Sequence, residues 1–240
     1  MIIRIAHLYP DMLNLYGDRG NIIALTQRLK ARGIDVQVDQ ITMGKSFNAD
    51  DYDILFIGGG QDFEQDVLLD DLKRGKDVQI SKAINNGAAM LAICGGYQML
   101  GKYYKTYDGK MLDYIGAIDF YTEGREERMI GNYAFKTKEG IEVVGFENHS
   151  GRTYLGDGVE PLGKVIKGYG NNGEDSTEGV RYNNTFGTYS HGPILPKNPQ
   201  LADLLISKAI ENRYGKCELE PLDDSLEEKA RAQVMKLYIK

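Results

Sequence analysis

Cys94 sits in the segment AICGGYQ, directly after an apolar run and directly before two glycines. This pattern predicts a cysteine at the carboxyl end of a buried parallel strand, on a tight turn that exposes its side chain, where open α/β sheets place their sites. The helix that follows turns its first amides and the positive end of its dipole toward the sulfur, which suits an anionic nucleophile. Gly95 and Gly96 keep the approach clear of side chains and leave the Gly95 amide open to an oxyanion. A buried structural thiol is the ordinary fate of a free cysteine, and the glycine pair at an elbow weighs against it. Gly58, Gly59 and Gly60 end the preceding apolar run, DILFI, and so reach the same sheet edge as Cys94. The Gly60 amide can complete the oxyanion hole there. The other readings of that turn are a tight connection or a phosphate cradle, but no G-x-x-x-x-G-K-[ST] occurs and no G-x-G-x-x-G opens a helix.

A cysteine nucleophile needs an acid–base partner, and the sequence offers three histidines. His7 falls inside the first strand pattern and reads as a packed residue. His149, in GFENHSGRT, lies among hydrogen-bonding groups and is a contender. His191 follows the alternating segment TFGTYS and precedes Gly-Pro, so a rigid turn holds it at a strand end; it is preferred as the base, with His149 second.

The elements that must position these residues alternate in type. Residues 2–8 read as a strand, about 21–32 as a helix stopped by Gly33, and 34–41 as an alternating strand near a sheet edge. Residues 53–57 are a buried strand, and about 64–86 are helical, with a break at Gly75 and a cap at Gly87. Residues 88–93 form a buried strand that runs into Cys94, and YQMLGKYY reads as the next helix. Such alternation predicts an α/β fold: an open, doubly wound, mostly parallel sheet with helices on both faces. From 115 to 191 short Thr-, Tyr- and Gly-rich strands between turns predict antiparallel additions in the second half. Residues 198–214 read as a helix closed by Gly215, and 224–240 as a charged amphipathic helix opened by an Asp or Ser cap. The expected organisation is one domain over 1–215 with a helical tail over 216–240.

Lys and Arg number 29 against 35 Asp and Glu, a net charge of −6. That balance weighs against a broad nucleic-acid face and against a polybasic membrane anchor. Two cysteines, Cys94 and Cys217, make no disulfide framework, and no Cys/His spacing suggests a metal site. No apolar run reaches the roughly 18–20 residues of a spanning helix, and the N-terminus does not read as a signal peptide. A cytoplasmic protein without direct membrane insertion is expected.

Taken with these residues, AICGGYQ resembles the nucleophile segment of class I glutamine amidotransferases, although the usual Gly two places before the Cys is Ala92 here. YSHGP resembles the histidine segment of the cobyric acid synthase-like branch, in which the usual Glu two places after the His is missing; that place is Pro193. LNLYGDRGNIIAL, FIGGGQDFEQ, ICGGYQMLGKYY, GFENHSGRTYL, GYGNNGED and GTYSHGPILPKN occur in the order found in GatD-type subunits of lipid II isoglutaminyl synthases and span most of 13–198.

The resemblance implies a Cys94–His191 dyad with Asp18 as a third member, and Arg128 of EERMIG as the residue that holds L-glutamine. From pattern alone Asp18 reads as a loop or cap residue and Arg128 as a solvated charge. The resemblance also implies a glutaminase that passes ammonia to a Mur ligase-like synthetase in a heterodimer. That partner would carry ATP and Mg, reach lipid II, and amidate the D-glutamate of the stem peptide. No cofactor is expected in this chain. The alternatives are an amidotransferase of the cobyrinic acid type, a catalytically silent scaffold, which should lack Cys94 or His191, and a cysteine peptidase on a similar elbow.

Overall fold

The computed structural model describes residues 1–239, the side chain of Asp62 excepted. In chain order the first strands are β1 (Ile2–Leu8), β2 (Asp35–Ile41), β3 (Ile54–Ile57), β4 (Ala89–Ile93), β5 (Tyr103–Lys105) and β6 (Met111–Asp113). They are followed by β7 (Phe120–Thr137), β8 (Glu142–Leu155), β9 (Gly163–Lys167), β10 (Thr177–Glu178), β11 (Val180–Tyr182) and β12 (Thr185–Thr188). The helices are α1 (Arg19–Ala31), α2 (Asp62–Asp71), α3 (Asp77–Asn85), α4 (Gly95–Gln98), α5 (Ile194–Lys197), α6 (Pro199–Tyr214) and α7 (Ser225–Val234).

The first sheet runs β11-β12-β4-β3-β1-β2. All its pairings are parallel except β11 with β12. The order reverses at β1, between β2 and β3, which opens a crevice at the carboxyl edge of an open α/β sheet. β3 and β4 are buried along their whole length, as are parallel strands in the interior of a sheet covered on both faces. The half-exposed alternation of β2 fits its place at the edge. Gly33 and Gly87, at φ +68° and +78°, end α1 and α3 in the left-handed conformation that favours glycine. The break at Gly75 is a π turn over Leu72–Lys76, with Gly75 at φ +114°. It lets the buried Lys76 ammonium reach Asp71, whose other hydrogen bonds come from Tyr9 and the Gly44 amide.

The second sheet, β10-β9-β7-β5-β6 with β8 also on β7, is antiparallel apart from the β5–β7 pair. Two sequence expectations change here. The helix expected over YQMLGKYY lasts one turn, because Gly101 lies flat against Phe120, where an added Cβ would come within 2.4 Å of the ring. Tyr103–Lys105 then joins the second sheet as β5. The short strands expected after residue 115 include two long ones, β7 of 18 residues and β8 of 14, which form a hairpin within the second sheet.

The helix expected from 224 is present, and the tail departs from expectation before it and in its cap. The tail forms neither helix nor strand through residues 216–224, forms α7, and ends in a π turn over Met235–Ile239; Lys240 lies outside the described residues. Asp224 does not cap α7. Its carboxylate is drawn instead to Arg28 at 2.6 Å, beside the Arg28–Asp203 and Arg32–Asp203 pairs. Met235 and Ile239 pack on Ala134 and Val144 of the hairpin. Burying such side chains contributes about 1.5–3 kcal/mol each.

Candidate active site

Cys94 occupies the junction between β4 and α4 at φ 47°, ψ −107°, a left-handed conformation that is costly for a residue with a side chain. The strain is held by neighbours on both sides. The Cys94 amide donates to Thr188 O at 2.8 Å, and the Gln98 amide closes the first helical turn on Cys94 O at 2.9 Å. Gly96 is required by the fit of α4 on β3, since a Cβ there would meet Gly58 O at 2.6 Å.

His191 comes from the chain just beyond β12, the strand paired in parallel with β4 through Ile93 and Thr188. Its amide donates to Phe146 O at 2.8 Å, and its ring is wholly buried. Nδ1 lies 3.7 Å from Asp18 Oδ2, an ion-pair contact rather than a formed hydrogen bond. Tyr16 meets the ring edge-on at 4.9 Å. Burial opposes the charged imidazole, but the negative charge of Cys94 and then Asp18 outweigh it and push His191 up to about 10. The ring is thus a proton holder paired to the sulfur. Apo sites of this kind tighten when substrate arrives.

Asp18 stands at the N-cap position of α1, yet its side chain does not cap the helix. The carboxylate turns inward, wholly buried, and accepts the Gly59 amide at 2.7 Å. Gly59 is the common neighbour of all three groups. A Cβ on it would lie 2.7 Å from His191 Cε1, 3.1 Å from Asp18 Oδ2 and 3.4 Å from Cys94 Cβ. Sequence reasoning singled out the glycine run for its amides and missed this steric reason for Gly59.

Cys94 opens into a cavity of about 210 Å³ whose lining includes Gly60, Gln65, Gln98, Arg128 and His149. Arg128 reaches the rim because β7 carries a bulge between Gly124 and Met129. Its Nε donates to Asn148 Oδ1 at 2.7 Å, and Asn148 in turn donates to the Tyr16 hydroxyl. Of the two oxyanion candidates, Gly60 is among the residues that line the cavity, and Gly95, the first residue of α4, adjoins Cys94 without being among them.

His149 also lines the cavity. It is stacked on Tyr189 at 3.6 Å, and Nδ1 bonds to Gly151 O at 2.8 Å. Burial, only partly offset by Glu147, lowers its pKa and keeps it neutral. His7 is buried in β1, where it packs edge-on against Phe56. A larger cleft of about 310 Å³ lies between Gly44–Phe47 and Asp71–Gln79, and none of Cys94, His191 or Asp18 borders it. Among the described residues no group of three His, Cys, Asp or Glu is placed to hold a metal ion. Nor is any helix long and apolar enough to cross a membrane.

Residues 4–199 match the CobB/CobQ-like glutamine amidotransferase domain. The chain is 47% identical over 227 residues, 95% of it and 92% of the relative, to the lipid II isoglutaminyl synthase (glutamine-hydrolysing) subunit GatD of Staphylococcus aureus. It is 45% identical to the subunit of the same name from Streptococcus pneumoniae, over 89% of this chain and 82% of that one. A probable cobyric acid synthase of Methanothermobacter thermautotrophicus is 31% identical, over 85% of this chain and 42% of that one. In fold the chain is similar to a glutamine amidotransferase of Thermotoga maritima, with a TM-score of 0.55 at 15% identity, over 98% of this chain and 97% of that one.

Proposed function

The chain belongs to the CobB/CobQ-like glutamine amidotransferase family, and on that premise we propose that it is the glutamine-hydrolysing subunit of a lipid II isoglutaminyl synthase. The observation that carries this reading is the cluster of Cys94, His191 and Asp18 about Gly59, in which Cys94 opens into a small polar cavity and the other two are buried behind it. Identity of 45–47% to the GatD subunits, against 31% to a cobyric acid synthase, favours the lipid II branch over the cobyrinic acid type.

In the mechanism, the Cys94 thiolate attacks the side-chain amide carbon of L-glutamine. The carbonyl electrons move onto oxygen, and the amides of Gly60 and Gly95 stabilise that oxyanion. As the tetrahedral intermediate collapses, the C–N bond breaks and His191 gives its proton to the leaving nitrogen, which departs as ammonia. Water then adds to the γ-glutamyl thioester while His191 takes the proton, and glutamate leaves with the thiolate restored. Asp18 orients the imidazole and balances its charge. The glutamine carboxylate sits on Arg128, whose planar fork matches it.

Ammonia does not amidate a free carboxylate in water, so synthesis needs an activating partner. That partner is a Mur ligase-like subunit carrying ATP and Mg, which reaches lipid II and amidates the D-glutamate carboxyl of its stem peptide to D-isoglutamine. The pair works as a heterodimer in the cytoplasm.

The test is purification of the native protein with identification of bound chains, followed by assays with L-glutamine, ATP and a lipid II-type acceptor. Glutamine-dependent amidation by the complex and none by the isolated chain is expected; amidation by the isolated chain contradicts the division of labour. Arg128→Ala is expected to raise the KM for glutamine with little change in kcat, and Arg128→Lys to recover part of the loss. A lowered kcat at unchanged KM would contradict the binding role.

A further inference from the structure

We propose that Glu178 is a positioning residue for this reaction, locking the chain segment that presents His191 to the helix that follows Cys94. The proposal rests on the glutaminase reading above. Glu178 lies on β10, has no solvent exposure, and is absent from the cavity lining, so it acts through other residues. Its Oε1 accepts the Thr188 hydroxyl at 2.6 Å and the Tyr189 amide at 3.0 Å. The Thr188 hydroxyl oxygen accepts the Ser190 amide at 3.0 Å. One carboxyl oxygen thereby fixes the three residues directly before His191.

The same residues reach the nucleophile. The Tyr189 hydroxyl accepts Gln98 Nε2 at 3.1 Å and is paired with Thr153 Oγ1 at 2.6 Å. Gln98 closes the helical turn on Cys94 O at 2.9 Å, and its Oε1 accepts Gln65 Nε2 at 3.1 Å. Hydrogen bonds and the short stretches of chain between them therefore join Glu178 to both ends of the Cys94–His191 pair. Removing the acceptor leaves a buried hydroxyl and a buried amide without a partner, and the segment relaxes to satisfy them.

Burial pushes the Glu178 carboxyl up to about 7 against its hydrogen bonds from Thr188 and Tyr189. Its Oε2 makes no well-formed hydrogen bond, although the Tyr133 hydroxyl is near enough to oppose the upward shift. Both formed hydrogen bonds go to one oxygen of this group, and glutamine, which keeps that oxygen and the shape, is the conservative replacement.

The experiment compares the full-length wild-type chain with Glu178→Ala, Glu178→Gln and Thr188→Val. Steady-state glutamate release is measured together with an NMR titration of the imidazoles, of which there are only three. Glu178→Ala is expected to lower kcat on the order of 10²-fold, the scale of a misplaced catalytic group, with KM within about twofold. Its His191 should lose its proton well below the value of about 10 expected for the intact pair. Thr188→Val should shift both readouts in the same direction, and Glu178→Gln should stay close to wild type in both.

A folded Glu178→Ala chain with unchanged kcat and His191 titration overturns the proposal. So does a loss confined to KM, or a failure of glutamine to restore kcat. If Glu178→Ala does not fold, Thr188→Val decides, and its behaving as wild type overturns the proposal. A wild-type chain that releases no glutamate contradicts the glutaminase reading instead. The His191 titration needs no turnover and then decides the role of Glu178 separately.

Discussion

Cys94→Ala is expected to abolish glutamate release from L-glutamine while the chain keeps its fold. The nucleophile makes the bond that splits the reaction into two easier steps, so its removal costs on the order of 10⁴-fold or more in kcat. The fold survives because alanine retains the Cβ, so the elbow at φ 47° is no more strained than before. The amide bonds that hold the elbow, Cys94 N to Thr188 O and Gln98 N to Cys94 O, involve no side-chain atom. Cys94→Ser should be almost as inactive, since a hydroxyl is far less acidic than a thiol. Glutamate release and circular dichroism measured on the same preparations check both halves. Activity retained by a folded Cys94→Ala chain would remove the sulfur from the mechanism.

The second large effect is expected at His191. His191→Ala should lower kcat by about 10²–10⁴-fold, the usual worth of acid–base help, and His149→Ala should cost much less. Both histidines are buried, and their surroundings separate them. His191 is held up to about 10 by Cys94 and Asp18, whereas His149 is lowered by burial and its Nδ1 is already bonded to Gly151 O. The folded His191 value lies above the ordinary value of 6.5, so its contribution to stability is fully present below about 6.5 and is lost as pH rises through about 10. Removing the sulfur in Cys94→Ala takes away the largest raising influence, so His191 should titrate lower in that variant. If His149→Ala proved the more damaging change, the base would have to be reassigned.

The parts of the fold that were legible in sequence depend on local pattern. β1, β3 and β4 follow from apolar runs, and the helix ends at Gly33 and Gly87 follow from glycine's access to positive φ. The Cys94 elbow was legible because an apolar run, a cysteine and two glycines are adjacent. The helix expected over YQMLGKYY failed because a distant contact, Gly101 against Phe120, decides that segment. Arg128 stands on a bulge, and nothing among its charged neighbours marks which of them turns toward the cavity. Asp18 looks like a cap until the return of β3 brings the Gly59 amide to its carboxylate. Glu178 carried no signal, since in GEDSTEGV it is one acid among several, and its burial goes with bonds to Thr188 and Tyr189 on another strand and the loop beyond it.

The central claim is that Cys94, and no other group, takes the γ-glutamyl unit from glutamine. The most direct test is intact-protein and peptide mass spectrometry of the full-length chain quenched in acid during turnover of L-glutamine. A mass gain equal to glutamine less ammonia, localised to the Cys94 peptide and absent from Cys94→Ala, is the expected result. Glutamate release at the wild-type rate with no such adduct in the chain, or an adduct that persists when Cys94 is replaced, would contradict it.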